Sequence, residues 1–147
     1  MPDSLVSDEV AIQAVLARYA RGLDIRDFDM VASCFAADVA AEYGGESLHG
    51  VSAVIEYVKA VERFSATTHV MTNVVIEVDG DRAVVVSQAI AYLVSAGLET
   101  GSVRIRGIRY DDELARRAGT WVITRRKHQA DWMALVGPHR VDVPPEK

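Results

Sequence analysis

The chain has 147 residues, half of them hydrophobic and a quarter charged, which is the composition of an ordinary globular protein with enough chain to bury a core and a small-molecule pocket. Its 16 basic and 21 acidic residues leave a net charge of −5, which argues against nucleic acid or an anionic membrane as the main partner, because phosphate binding needs a basic face. One cysteine, Cys34, excludes an intrachain disulfide and a cysteine-built zinc site, and no run approaches the ~18 apolar residues of a membrane span.

The length predicts a single domain over 1–147, with loose termini at 1–6 and 137–147. Met1-Pro2-Asp3-Ser4 is neither basic nor followed by a signal-type apolar core, so a cytoplasmic protein is expected. Ser7 is the candidate cap of a first helix, in which Ile12, Leu16, Tyr19, Ala20 and Leu23 form one apolar stripe. Asp24 continues that inward stripe, an unusual place for a carboxylate. Gly22 and Asp24-Ile25-Arg26-Asp27 are expected to end the helix. Asp27 then caps a short second helix through Phe35, with Met30, Val31, Cys34 and Phe35 inward. Val39–Tyr43 reads as a strand stopped by Gly44-Gly45. A third helix follows Gly50 to about Phe64, with Val51, Val54, Ile55, Val58 and Val61 as its apolar face.

The second half reads as strands. Thr67–Val78 is followed by the hairpin signal Asp79-Gly80, then Arg82–Ser95, a looser turn between Gly97 and Gly101, Ser102–Leu114, a turn at Arg117-Ala118-Gly119, and a last strand from Thr120 to about Trp132. Pro138, Pro144 and Pro145 suggest an extended tail. Helices first and antiparallel strands second predict an α+β fold, a strongly curved antiparallel sheet closed by three N-terminal helices into a cone. On the first long strand, alternation puts His69, Met71 and Asn73 on one face and Thr68, Val70, Thr72 and Val74 on the other. An apolar sheet face built from Val70, Val74, Ile76 and Val84 or Val85 predicts a homo-oligomer.

The stretches Ala17-Arg18-Tyr19-Ala20-Arg21-Gly22-Leu23-Asp24, Asp27-Phe28-Asp29, Cys34–Val39, Leu48-His49-Gly50, Thr67–Asn73, Gly107–Leu114 and Gly119-Thr120-Trp121 resemble the SnoaL-like branch of the NTF2-like superfamily. The resemblance spans about residues 8–133 and implies an NTF2-like cone. That superfold hosts dehydratases, isomerases, cyclases, dehydrohalogenases and non-enzymatic binders, so fold alone does not name a reaction. Asp24 and His69 look like the Asp–His dyad of scytalone dehydratase-like and bile acid dehydratase-like members and of hexachlorocyclohexane dehydrochlorinase. Tyr19 falls where that group places an auxiliary Tyr or Lys, and Arg126 near an Arg that some members use. Scytalone dehydratase carries a second pocket histidine on a later strand, where this chain shows Arg104, Arg106 and Arg109. Relatives bearing the dyad imply a trimer in preference to a dimer.

Proton removal next to an activating group needs a base whose pKa lies near working pH, and histidine is the usual choice. Asp24 accepting from Nδ1–H would fix the tautomer and leave Nε2 as the base. A phenol or guanidinium meets the charge that develops, for which Tyr19 and Arg126 are the catalytic candidates, with Tyr43 and Tyr92 behind them. Asn73 and His128 are candidate polar contacts to substrate, and Met71, Phe35, Val58, Phe64 and Trp132 candidate apolar walls for a small hydrophobic ligand. The four histidines lack ligand spacing such as His-x-His, so neither a metal nor a cofactor is expected. The leading expectation is a lyase of dehydratase type. An isomerase or polyketide-type cyclase uses the same base, and a non-catalytic ligand-binding module keeps the cone without turnover.

Overall fold

The computed structural model describes residues 2–145, with side chains at all of them except 2, 3 and 98–100. In chain order the elements are helices α1 (Pro2–Asp24) and α2 (Phe28–Ala32), strands β1 (Phe35–Tyr43) and β2 (Glu46–His49), helix α3 (Val51–Val58) with a 3-10 extension over Lys59–Arg63, then β3 (Ala66–Asp79), β4 (Arg82–Ser95), β5 (Gly97–Arg117) and β6 (Thr120–Val141). The six strands make one curved sheet in the order β2-β1-β6-β5-β4-β3. Every neighbouring pair is antiparallel except β1 and β6, which run parallel. Among the described residues no helix is long and apolar enough to cross a membrane.

The stripe on α1 does what its spacing implies. Ile12, Val15, Leu16, Tyr19 and Leu23 are buried against the inner face of the sheet, where they share one core with Val39, Val85, Ile108 and Ile123 of the strands and Val54 of α3. The helix begins at Pro2 and not at Ser7, so the lead expected to be loose is helical from its second residue; Met1 lies outside the described residues. Proline suits a first helical position because its missing N–H would be unpaired there anyway. Ser7 is exposed inside the helix, while Asp8 beside it is buried and accepts from Arg116 Nη2 at 2.9 Å and Trp121 Nε1 at 3.1 Å.

Gly22 does not end α1. It lies in the last full turn, where α2 crosses so closely that a Cβ would stand 2.7 Å from Val31 Cγ2 and 3.1 Å from the Asp27 carbonyl. Gly22→Ala is therefore expected to cost about 1–3 kcal/mol by forcing the two helices apart, read as a lower Tm. Asp27 caps α2 as expected, its Oδ1 accepting from Met30 N at 2.9 Å. The helix stops at Ala32 and Phe35 opens β1 instead of closing a helix, because β6 takes over this backbone. Ile123 N donates to the Cys34 carbonyl at 2.8 Å, and Phe35 pairs with Ile123.

Four further differences come from pairing that local sequence does not reveal. Gly44 and Gly45, at φ 59° and 85°, are a hairpin turn into the short edge strand β2. Gly97 and Gly101 lie within β5, where a Cβ on Gly101 would meet the His139 carbonyl of β6 at 2.6 Å. The tail expected to be loose continues β6 to Val141, with residues 142–145 beyond it irregular and 146–147 outside the described residues. On β3, a bulge between Thr72 and Val75, with Asn73 at φ 50°, reverses the alternation. Val74 and Ile76 consequently pack against the core, and Val85 is fully buried. The exposed apolar residues of this outer face are Val70, Val75, Val84 and Val86.

Candidate active site

The end of α1 runs beside the start of β3, and this brings Asp24 to His69. His69 Nδ1 lies 2.6 Å from Asp24 Oδ1. The His69 backbone N–H donates to Oδ2 at 2.8 Å, and Thr67 Oγ1 donates to Oδ1 at 3.0 Å. An ionised carboxylate only accepts, so Nδ1 carries a proton and Nε2 keeps its lone pair when the ring is neutral. Burial alone pushes the Asp24 carboxyl up, but the donors from His69 and Thr67 outweigh it and hold the group below its usual range. Stabilisation from a depressed carboxylate is complete above the unfolded pKa of about 3.9 and disappears as pH falls through the lower folded value. Asp24→Asn is expected to flatten the acid limb of a plot of Tm against pH.

Arg26 holds this corner in place. With φ 59° it takes the left-handed turn after α1, and its Nη1 donates to the Leu23 and Asp24 carbonyls at 2.9 and 3.2 Å and to Thr67 Oγ1 at 2.6 Å. Its Nη2 donates to the Val61 and Phe64 carbonyls at 3.0 and 3.2 Å. One guanidinium thus ties the end of α1, the 3-10 stretch and β3 together, and Thr67 relays that order to the carboxylate.

His69 faces a cavity of about 510 Å³. Tyr19 and Tyr43 form part of its wall, with their hydroxyls 3.0 Å apart. Tyr110 and His128 continue it, and the His128 ring stacks on Tyr43 with centroids 4.7 Å apart. Burial raises the Tyr19, Tyr43 and Tyr110 phenols, so each stays protonated at neutral pH and available as a donor. Burial, then Arg106 and Arg126, push His128 down to about 3, which keeps its imidazole neutral. Its Nδ1 is buried without a hydrogen-bond partner.

A model of the SnoaL-like domain matches residues 4–127. The chain belongs to the SnoaL-like family. An uncharacterized protein of Mycobacterium tuberculosis is 30% identical over 128 residues, 82% of this chain and 84% of that protein. Two solved structures share the SnoaL-like architecture. One is a scytalone dehydratase-like protein from Novosphingobium aromaticivorans, with TM-score 0.82 and 21% identity, covering 97% of this chain and 96% of the other. The second is hexachlorocyclohexane dehydrochlorinase LinA-type3 from Novosphingobium barchaimii, with TM-score 0.82 and 20% identity, covering 99% of this chain and 100% of the other. At these identities the likeness is one of fold, the NTF2-like cone.

Within this SnoaL-like cone the expected site residues divide. Asp24 and His69 meet, and Tyr19, Tyr43, Val58, Phe64, His128 and Trp132 line the same cavity as His69. Arg126 does not reach it. That side chain is 1% exposed and bonded through Nε and Nη2 to the two Asp112 oxygens, both at 2.7 Å. Its guanidinium lies 4.3 Å from the ring centroids of both Tyr19 and Tyr110, so it backs the phenol wall without meeting a ligand. Burial disfavours its charge, but Asp112 outweighs this and holds the guanidinium pKa well above its usual value. Phe35 is also core, edge-on to Tyr19 at 5.7 Å.

Three expected contacts lie elsewhere. Met71 packs in a groove with Gln13, Ala14 and Leu16 of α1. Asn73 sits exposed in the β3 bulge, its Nδ2 donating to Gln88 Oε1 at 2.6 Å, because the left-handed residue breaks the alternation that put it beside His69. Tyr92 pairs with Thr68 on the outer face and is 39% exposed. The expected polar contact His128, on β6, supplies a second imidazole to the cavity, and Arg104 and Arg106 line the cavity with it. Thr67 was within reach of sequence reasoning, since it lies two residues before His69 on the same strand face.

Proposed function

We propose that this chain is a lyase of dehydratase type, acting through side chains alone on a cyclic, polyketide-, steroid- or terpenoid-derived substrate. The observation that carries the reading is the 2.6 Å Asp24–His69 contact at the wall of an open cavity. Nε2 of His69 takes the proton from a carbon next to an activating group, and Asp24 stabilises the imidazolium that results. The C–H electron pair becomes the new double bond, and the hydroxyl on the neighbouring carbon leaves as water with the proton that the His69 imidazolium returns. Tyr19 and Tyr43, both protonated, are the donors placed to meet the developing charge. A fold neighbour named as a dehydrochlorinase gives an elimination a precedent on this architecture. A pure binding module would have no need of a paired imidazole at the cavity wall. The outer face carrying Val70, Val75, Val84 and Val86 is the surface on which copies of the chain would associate.

The test incubates the purified chain with a panel of cyclic β-hydroxy ketones and β-hydroxy acids and reads products by mass. Wild type should release one water from a member of the panel, and His69→Ala should not. A product of unchanged mass would assign isomerisation or cyclisation instead, and turnover retained in His69→Ala would move the chemistry away from this pair.

A further inference from the structure

The cavity is far more basic than the chain that builds it. In a protein of net charge −5, its lining contains Arg63, Arg104 and Arg106 together with His69 and His128, and among the described residues it contains no Asp or Glu. We propose that the substrate carries a carboxylate, that Arg106 is the residue that holds it, and that Arg104 extends this anion subsite to the rim.

Register places the subsite opposite the base. His69 pairs with Ala91, Ala91 with Arg106, and Arg106 with Met133, so one row of side chains crosses four strands on the inner face. Adjacent strands lie about 4.8 Å apart, which sets the His69 and Arg106 backbones roughly 10 Å from each other. The residue between them is Ala91, whose methyl leaves the space above the row open. A ring lying over Ala91 presents one end to His69 and the other to Arg106. Arg106 also acts on His128, where its charge is the second cause, after burial, of the low pKa of that imidazole. The cavity therefore holds a fixed cation on β5 and a neutral imidazole on β6.

Among the described residues nothing satisfies Arg106. It is half-buried, and among the described residues it makes no hydrogen bond and no ion pair. Arg26, Arg116 and Arg126 are by contrast held by carbonyls, hydroxyls or carboxylates. Among the described residues Arg104 has only the Phe64 ring, 6.0 Å from its guanidinium, and Arg63 lies at the same distance from that ring while its Nε donates to the Ala60 carbonyl. A guanidinium drawn partly out of water without a counter-charge is unfavourable, and a carboxylate matches its planar fork with two charge-assisted hydrogen bonds. The apolar wall between, from Val58 and Leu93 to Ile108, suits the hydrocarbon body of such a ligand.

The substrate sense of this assignment rests on the cavity being the reaction site, but its test is a binding measurement that needs no turnover. Isothermal titration calorimetry of the full chain with 2-naphthoate and with 2-naphthamide compares one ring body with and without the charge. The acid should bind wild type about tenfold more tightly than the amide. Arg106→Gln should abolish that preference and leave the amide unchanged. Arg106→Lys should retain part of it, Arg104→Gln should give a smaller loss, and His69→Ala should keep it. Since Arg106 gives up no internal partner, the Tm of Arg106→Gln should match wild type. Equal affinity for acid and amide in wild type, failure of the acid to bind, or a preference that survives Arg106→Gln would each overturn the anion subsite. A preserved preference in an inactive His69→Ala variant, or in a wild type without elimination activity, would separate this subsite from the base chemistry.

Discussion

Alanine at position 69 is expected to lower kcat/KM on any substrate that wild type eliminates by about 10²- to 10⁴-fold, the usual contribution of a positioned general base. The fold should survive. The ring lies at a cavity wall with its side chain 7% exposed, and Asp24 keeps the His69 backbone N–H and the Thr67 hydroxyl as donors when the imidazole is removed. On the proposed roles, with His69 as base and Arg106 and the apolar wall holding the ligand, the loss should appear in kcat more than in KM. Asp24→Asn provides the independent arm. An amide offers Nδ1 either a donor or a weaker acceptor, so the ring is no longer held with its proton on Nδ1, and a comparable loss of about 10⁴-fold is expected. If both variants lose turnover but still bind 2-naphthoate, the pair is doing chemistry and not merely shaping the cavity. If either keeps wild-type turnover, the pair is structural.

The second large effect concerns the buried pair on β5 and β6. Asp112→Asn is expected to destabilise the protein by about 3–5 kcal/mol, because it strands a guanidinium with no exposed surface. In a chain of this size that corresponds to a Tm lower by roughly 6–20 °C, measured by thermal denaturation. Arg126 already has one nitrogen, Nη1, without a partner, so nothing compensates when both carboxylate bonds are weakened. The two 2.7 Å contacts have the geometry of an ionised bidentate pair, although burial alone pushes the Asp112 carboxyl above its usual range. Replacing both partners, Arg126→Met with Asp112→Leu, should recover most of the loss, since a matched apolar pair avoids the desolvation of two charges. Activity should nevertheless fall in the double variant. Tyr19 and Tyr110 would lose the cation stacked on their rings, and with it part of the field that favours charge developing near their hydroxyls. A double variant as stable as wild type and equally active would reduce Arg126 to packing.

The elements whose positions depend on local rules are legible in the sequence. The α1 stripe, the Asp27 cap, the Asp79-Gly80 hairpin and the order of the four long strands all follow from spacing and turn chemistry. Asp24 stood out because a carboxylate continued an apolar stripe, and His69 because an imidazole sat on a strand otherwise rich in β-branched residues. The misplaced residues have separate causes. Strict alternation puts Asn73 beside His69 and its own left-handed backbone breaks it, whereas Met71 keeps the face of His69 but packs against α1. Arg126 is a catalytic candidate because the resemblance places it near an Arg that some members use, and its side chain does turn inward. Inward on this sheet means two things, however, cavity or sealed core, and Asp112 draws it to the second.

From the amino-acid order alone came the α+β class, the inward carboxylate on the first helix and the imidazole at the start of the long strands. Periodicity and turn propensity are local, and a few residues suffice to express them. Tertiary structure decided that Asp24 and His69 touch, that Arg26 and Thr67 hold them, that His128 is the second imidazole, and that the cavity is lined by guanidinium groups with no acid among the described residues. Each of these depends on register between segments 40 or more residues apart in sequence or on which side chains a curved sheet turns toward its hollow. Such pairings are set by the packing of the whole core, and no window of sequence contains them.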